Sequence, residues 1–420
     1  MNDKFSKDFH LVVVGQIISI LGSAILRFAL NLYVLDITGR ADIFALVLAL
    51  SSIPGILFSL IGGAIADRFN RRNLMVIFDF SSSGVVLLLI LLLNTESASV
   101  IVVGAILAVL SIISSMYQPA VQASVPILVK VEKLAQANGI VNGVGALSGL
   151  LGPVLGGVLY GLVGLDSLVI MSCVAFFLSA VMEIFIQIPF TKLERNKNII
   201  PTIAGDMKIG MRYVIKENPH IFKIILLAAV LNMLMSPFFI VGVPYILRIT
   251  MGSTETMYGI GMGIGELSTI LGALLVGIFS KKMTLDRLHR FLFLIAALML
   301  PMAFAVSQMM LRFGYWPSFV LFFIFGAVIM VLMTVISIFV ITAVQMETPN
   351  EMLGKVMAII MAVAQCAAPL GQALYGIAFQ RFSAAVYAPV LLACFFTVII
   401  AFAARTMLSG QNMIFRGQTE

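Results

Sequence analysis

Runs of about twenty apolar residues recur along the whole chain, and each is long enough to cross the hydrocarbon core of a bilayer as a helix. Breaking the chain at charges, prolines and polar clusters gives twelve runs, at approximately 10–35, 43–66, 73–93, 99–122, 137–163, 167–188, 221–247, 257–280, 288–308, 316–343, 354–378 and 386–407. The composition, 61% hydrophobic and 11% charged, lies outside the balance of a soluble domain. The sequence therefore predicts an all-α membrane protein with twelve transmembrane helices.

The positions of the basic residues predict the orientation of these helices. Of the 26 lysines and arginines, four fall in the loops expected outside, at Arg40, Arg248, Arg312 and Arg381. Arg27 lies inside the first run, and the remainder fall in the tails and in the loops expected inside. Because short cytoplasmic loops carry the excess of bases, we expect both termini to be cytoplasmic. The net charge of +7 comes from these loops and does not indicate a nucleic-acid partner.

The one long segment between apolar runs divides the chain into two halves. We expect a six-helix bundle at 1–188, a cytoplasmic linker at 189–220 that contains an amphipathic helix, a second six-helix bundle at 221–408 and a cytoplasmic tail at 409–420. The second half repeats motifs of the first. Ala120-Val121-Gln122 is followed by Gly152-Pro153 in the first half, and Ala343-Val344-Gln345 is followed by Ala368-Pro369 in the second. A duplication of six helices is typical of transporters whose halves rock around a site at mid-membrane.

The stretch Gly62-Gly63-Ala64-Ile65-Ala66-Asp67-Arg68-Phe69-Asn70-Arg71-Arg72 ends the second apolar run with two glycines, one acid and three arginines. It resembles the loop 2–3 signature of the major facilitator superfamily, and with twelve runs the resemblance covers essentially the full chain. It departs from that signature at Asn70, where a glycine is usual. The resemblance implies a conformational latch made of Gly62, Asp67, Arg68, Arg71 and Arg72. The alternative is that Asp67 and the arginines cap and anchor the second helix.

A second motif of this family lies in the fifth run. Gly139, Gly152, Pro153, Gly156 and Gly157 resemble the motif of export-type, antiporting members, with Ser148 where glycine is common. Small residues at this spacing also make a smooth face for close helix packing, which is the simpler interpretation. Further along, the segments 128–139 and 349–356 are similar to the macrolide-efflux and siderophore-exporter branch of bacterial members. That branch implies bulky, amphipathic substrates that are released outward.

Charged residues inside the apolar runs are candidates for the coupling of transport to protons, because a membrane-embedded acid is costly unless it has a function. Glu266, among the glycines at 261, 263 and 265, is the first candidate for proton coupling, and Asp36 is the second. Arg27 and Asn31 share a helix face. Because an arginine inside the membrane needs a partner, Arg27 is expected either to pair with Glu266 or to contact an anionic substrate.

Polar residues in the runs that should border the cavity complete the candidate substrate site. The substrate-cavity candidates are Arg27, Asn31, Gln16, Asn142, Asn232 and Gln365. Hydrogen bonds between helices are the alternative role for the uncharged members. Asp79 and Glu183 lie near the cytoplasmic ends of helices that are peripheral in this fold, where we expect snorkelling or salt bridges to loop arginines.

The sequence predicts a transporter and not an enzyme. The glycine-rich segment 259–265 lacks the Lys-Ser/Thr of a phosphate loop, and the three histidines are isolated, so we expect neither a cofactor nor a metal site. We expect a secondary-active exporter of the bacterial inner membrane that moves hydrophobic or amphipathic compounds of the drug or macrolide type out in exchange for protons. A dedicated exporter of an endogenous metabolite, siderophore or lysolipid is the alternative, and a membrane sensor without transport is a more distant one. The expected partners are the substrate, protons and membrane lipid, and the expected state is a monomer.

Overall fold

The computed structural model describes residues 5–93, 99–189, 199–280 and 283–408. Within these ranges the regular structure is helical, without a β-strand. The long helices are α1 Lys7–Thr38, α2 Ala41–Arg68, α3 Arg71–Leu93, α4 Val100–Leu128, α5 Leu134–Ile184, α6 Ile199–Arg212, α7 Pro219–Thr250, α8 Glu255–Ser280, α9 Leu288–Ala305, α10 Tyr315–Glu347, α11 Asn350–Arg381 and α12 Tyr387–Met407.

Helix α5 contains two membrane crossings. Its 51 residues would extend roughly 75 Å as one straight helix, more than twice the thickness of a bilayer core. Gly164 interrupts it with φ 75° and ψ 174°, a conformation that is essentially restricted to glycine. With this break, the eleven apolar helices long enough to span a membrane among the described residues are consistent with twelve crossings. The predicted all-α, twelve-helix fold class is confirmed.

Helix boundaries follow local signals in the sequence. Asn218 precedes α7 and its side-chain oxygen accepts a hydrogen bond from the backbone N–H of Ile221, while Pro219 occupies the first helical position. α7 contains two wider π-helical turns, Phe238–Gly242 and Ile246–Thr250, on either side of Pro244. The amphipathic helix expected in the linker corresponds to α6 in the structure.

The chain forms two compact units. Unit 1 consists of Met1–Thr38, Val47–Ile200 and Thr254–Gly263, so it includes the first turns of α8. In this unit α5 packs on α1 and α3, and α4 packs on α3. Small residues allow the closest approaches, as where Gly152 of α5 faces the methyl group of Ala24 of α1.

Unit 2 consists of Gly39–Leu46, Pro201–Ser253 and Ile264–Glu420, so it includes the first residues of α2. Here α9 packs on α10 and α12, and α11 packs on α7. Phe238, Tyr375 and Phe379 form an aromatic cluster between α7 and α11. The two units therefore each bury their own apolar core.

Candidate functional site

Unit 1 contains a polar cavity among α1, α3, α4 and α5, with a volume of about 270 Å³. Its polar lining comes from every one of these helices: Ser19, Ser23 and Arg27 of α1, Asp79 and Ser82 of α3, Ser114, Tyr117 and Gln118 of α4, and Ser148 of α5. A lining of this kind inside a membrane-spanning bundle suits water and polar or charged groups, because each of them needs a hydrogen-bond partner.

Two carboxyl groups are buried near this cavity: Asp79 lines it, and Glu183 lies behind Tyr117. Asp79 and Glu183 have 1% and 0% of their surface exposed. The Ser19 hydroxyl donates a hydrogen bond of 2.7 Å to Asp79 Oδ1, and the Tyr117 hydroxyl donates one of 2.7 Å to Glu183 Oε1. The two carboxyl groups are also close enough to interact electrostatically. α1, α3, α4 and α5 thus each contribute one side chain to a single buried polar cluster.

One oxygen of each carboxyl group, Asp79 Oδ2 and Glu183 Oε2, is buried without a hydrogen bond of good geometry among the residues that the structure describes. The Ser179 hydroxyl lies close to Asp79 but donates to the Gly15 carbonyl at 3.0 Å. Neither group forms an ion pair within the described ranges. Arg27 lines the same cavity, but its Nε donates to the Ser23 hydroxyl at 3.4 Å. The cluster therefore holds two acids that have incomplete hydrogen bonding and no ion pair with a basic side chain among the described residues.

The position of Asp79 and Glu183 corrects a sequence prediction. We expected both acids to snorkel or to pair with loop arginines, and both are enclosed by protein instead. Helix geometry explains the difference, because both acids lie on helix faces that pack inward. Gly15 makes the space on α1, since a Cβ there would lie 3.3 Å from both Cγ and Oε1 of Glu183.

The sequence carries a signal for the burial of these acids. Ser82 and Ser83 follow Asp79 at three and four residues, and Ser179 precedes Glu183 by four. Residues at this spacing share a helix face, and all three serines are buried. An acid accompanied by serines on one face of an apolar helix indicates a buried polar face more than a snorkelling side chain.

Unit 2 contains a larger cavity of different character, with a volume of about 340 Å³ among α7, α9, α10, α11 and the end of α12. Its lining is mainly apolar, with Met333, Ile336 and Met361 among its members. Asn232 and Ser337 add polar groups. An apolar cavity with few polar groups is the usual character of a site for a hydrophobic small molecule.

The predicted substrate-cavity residues do not gather at one place. Arg27 lines the polar cavity of unit 1, and Asn232 lines the apolar cavity of unit 2. Gln16 is fully buried and its Nε2 donates to the Val141 carbonyl at 3.2 Å, which is the interhelical role named as the alternative. Asn31 is half-buried and its Oδ1 lacks a partner among the described residues, while Asn142 and Gln365 are exposed.

The two predicted proton-coupling acids lie outside the buried cluster. Glu266 is exposed on α8 in the part that belongs to unit 2, and Asp36 is half-buried near the end of α1 in unit 1. The exposed part of such a side chain in a membrane-spanning helix faces either lipid or a water-filled space. Their coupling roles stay predictions.

The residues of the predicted latch make contacts within unit 1. Gly62 packs against α4, where an added Cβ would lie 3.2 Å from the Ser115 carbonyl oxygen. Arg71 Nε donates to the Ala66 carbonyl at 3.2 Å, and Arg72 donates through two nitrogens to the Ile184 carbonyl at the end of α5. Arg68 is exposed. The side chain of Asp67 lies outside the described part of the chain.

The predicted antiporter-motif residues differ in their packing. Gly152 and Gly156 face α1, and Gly157 faces the start of α8, where an added Cβ would lie 2.9 Å from the Gly259 Cα. Pro153 lies between them in the helix interior. Gly139 is exposed, with nothing within 4 Å of an added Cβ. Close packing therefore accounts for three of the four glycines.

The model of the family described as Major Facilitator Superfamily matches residues 12–372. The chain belongs to the major facilitator superfamily. Among solved structures of this fold, the nucleoside transporter NupG is 11% identical with a TM-score of 0.72, covering 96% of this chain and 100% of that one. A bacterial homologue of the iron transporter ferroportin is 16% identical with a TM-score of 0.69, covering 94% and 98%. These similarities concern the fold alone.

Curated relatives of this superfamily chain carry the name macrolide efflux protein A. One from Streptococcus pyogenes is 24% identical over 280 residues, which is 65% of this chain and 67% of that protein. Another, from Enterococcus faecalis, is 22% identical over 339 residues, which is 78% of this chain and 99% of that protein. The predicted resemblance to the macrolide-efflux branch is confirmed, and the chain is a multi-pass membrane transporter of a small molecule rather than an enzyme.

Proposed function

We propose that this chain is a secondary-active efflux transporter of the bacterial inner membrane. It exports hydrophobic or amphipathic compounds of the macrolide type in exchange for protons, by alternating access, with both termini in the cytoplasm. The names of the relatives support the direction of transport and the substrate class. The distribution of loop bases supports the orientation.

The observation that carries the substrate class is the cavity of unit 2. A volume of about 340 Å³ lined mainly by aliphatic and methionine side chains favours the apolar body of a ligand, because burial of apolar surface drives its binding. Methionine adapts its shape to different ligands, which favours a transporter of several compounds over a narrowly specific one. Asn232 and Ser337 offer hydrogen bonds to the polar part of an amphipathic molecule.

Transport in proteoliposomes with an imposed pH gradient tests the proposal. The probes are a macrolide, a cationic dye and a lysolipid, each added separately. We expect the pH gradient to drive movement of more than one probe. Movement of a single probe class would instead favour a dedicated exporter, and no movement of any probe under a gradient would refute proton-driven efflux.

A pair of variants tests the role of the unit 2 cavity. Ala364→Phe adds an aromatic ring to the cavity lining, whereas Ala297→Phe makes the same change on an exposed face of α9 in the same unit. We expect Ala364→Phe to reduce transport of the bulky macrolide while Ala297→Phe leaves it unchanged. Equal transport by the two variants would exclude this cavity as the substrate site.

A further inference from the structure

We propose that Asp79 and Glu183 form the site that binds and releases the proton exchanged for substrate. This inference rests on the proposed antiport function and assigns the proton to unit 1, away from Glu266. It concerns a cluster in which two acids, one tyrosine and one serine come from four helices.

The hydrogen bonding leaves a place for a proton on each acid. Ser19 and Tyr117 satisfy one oxygen of Asp79 and of Glu183, respectively, and the second oxygen of each carboxyl group has no described partner. A buried polar atom without a hydrogen bond is costly, and a buried charge without a partner costs more. A proton that binds to the free oxygen removes one charge from the pair and supplies an O–H donor.

The cavity gives this proton a route. Asp79 lines the cavity directly, and Tyr117 lines it while donating to Glu183 behind it. In the uptake step, a hydronium ion in the cavity transfers a proton to the Asp79 carboxylate, so that a new O–H bond forms there and the hydronium ion becomes a water molecule. Release reverses the step. Among charged and titratable groups, Tyr117 of α4 and Glu183 of α5 interact electrostatically with Asp79, and Arg27 of α1 lines the same cavity.

The corresponding helix pair of unit 2 packs without any acid. In unit 1, Cys173 Sγ donates to the Ser83 carbonyl of α3 at 3.4 Å. In unit 2, Cys394 Sγ of α12 donates in the same way to the Ala296 carbonyl of α9 at 3.1 Å. These paired contacts align the two repeats around one cysteine on each side.

Counting from these contacts identifies the equivalents of the two acids. Asp79 lies four residues before Ser83, and Leu292 lies four before Ala296; Glu183 lies ten after Cys173, and Ala404 lies ten after Cys394. Leu292 and Ala404 are as buried as the acids, with 0% and 1% exposed. Helix packing of this kind is therefore achieved with apolar side chains, and the acids of unit 1 need another reason to be there.

Infrared difference spectroscopy of the purified full-length protein tests the site without any substrate. The band of a protonated carboxyl group that disappears as pH rises is compared among the wild type, Asp79→Asn, Glu183→Gln and Glu266→Gln. We expect the first two variants to lose this band and Glu266→Gln to keep it. Asp166→Asn, which changes an exposed acid on α5, is the matched control. A band that survives in both Asp79→Asn and Glu183→Gln would overturn the proposal.

Two further variants keep the test decisive if a single substitution unfolds the protein. Asp79→Leu combined with Glu183→Ala reproduces the residues that unit 2 buries at the equivalent positions, so we expect this protein to fold and to lack the band. Tyr117→Phe removes the donor to Glu183 Oε1, and we expect it to change the frequency of the band. An unchanged spectrum in both would contradict the assignment.

Transport separates the failure of this inference from the failure of the proposed function. With erythromycin as the probe in proteoliposomes, we expect Asp79→Asn to lose the whole increase in rate that the pH gradient gives the wild type, and to retain exchange of erythromycin without a gradient. If Asp79→Asn keeps that increase, the proton site is wrong while proton antiport stands. If the wild type itself shows no increase, proton antiport is wrong, and the infrared band still decides whether the pair binds a proton.

Discussion

Gly152 of α5 lies so close to Ala24 of α1 that a larger side chain at residue 152 should clash. A Cβ at Gly152 would lie 2.6 Å from the Ala24 Cβ and 3.3 Å from its carbonyl carbon, whereas ordinary contact begins at 3.4 Å. Neither atom is the end of a flexible side chain, so Gly152→Ala must move the helices apart by about 0.8 Å. Overpacking of this kind costs about 1–3 kcal/mol.

The net effect also includes helix propensity. Alanine is favoured over glycine in a helix interior by roughly 1 kcal/mol, which offsets part of the steric cost. We therefore expect Gly152→Ala to lower the free energy of unfolding by up to about 2 kcal/mol. Gly139→Ala is the matched control from the same motif, because nothing lies within 4 Å of an added Cβ there. It gains propensity without a clash and should be neutral or stabilising.

A reciprocal exchange shows whether the methyl–methyl contact causes the loss. Ala24→Gly alone should destabilise by about 1 kcal/mol through propensity. In the double variant Ala24→Gly/Gly152→Ala the methyl group has moved to the other helix, so we expect a favourable coupling energy of roughly 1–3 kcal/mol. The assay is the midpoint of thermal unfolding of the detergent-purified protein. Strictly additive effects, or a Gly152→Ala protein as stable as Gly139→Ala, would refute the packing argument.

Three other predictions follow from single residues. Gly164→Ala places a side chain at φ +75° and should destabilise the protein by about 1–3 kcal/mol. Gly84→Ala in α3, where an added Cβ meets open space, should not destabilise it. Thermal unfolding in detergent measures both variants. A membrane-impermeant maleimide should label exposed Cys366 and not buried Cys394 if α11 borders water at Cys366, and absence of Cys366 labelling would place that position in lipid. Asp67→Asn should slow turnover in vesicles more than it weakens substrate binding, and unchanged turnover would leave Asp67 as an anchor.

The helical fold could be predicted because hydropathy and length act locally. A run of apolar residues long enough to cross the bilayer must satisfy its backbone hydrogen bonds within itself, so its conformation needs no knowledge of its neighbours. The break at Gly164 lies between the predicted runs 137–163 and 167–188, so hydropathy and length also predict its place. The turn there also depends on a φ of +75°, which glycine adopts without the penalty of a side chain.

The site was harder to predict because it depends on which face of each helix meets protein. Distance along the helix placed Asp79 and Glu183 near the membrane surface, but their inward faces bury them against Ser19, Tyr117 and Gly15. Composition cannot separate these acids from snorkelling ones, whereas the face they share with serines can. Glu266 illustrates the opposite case, since flanking glycines suggested close packing and the side chain is exposed.

The duplication gives a physical reason to treat the polar cavity of unit 1 as functional. Both units use the same cysteine-to-carbonyl contact between equivalent helices, so the repeats retain a common way of packing. At the positions where unit 2 buries Leu292 and Ala404, unit 1 buries two acids. Replacing buried charged groups by apolar ones is often neutral or stabilising, so stability alone does not favour the acids. An asymmetry that stability does not explain points to a task that only one repeat performs, and under the proton antiport proposed above that task is to carry the proton.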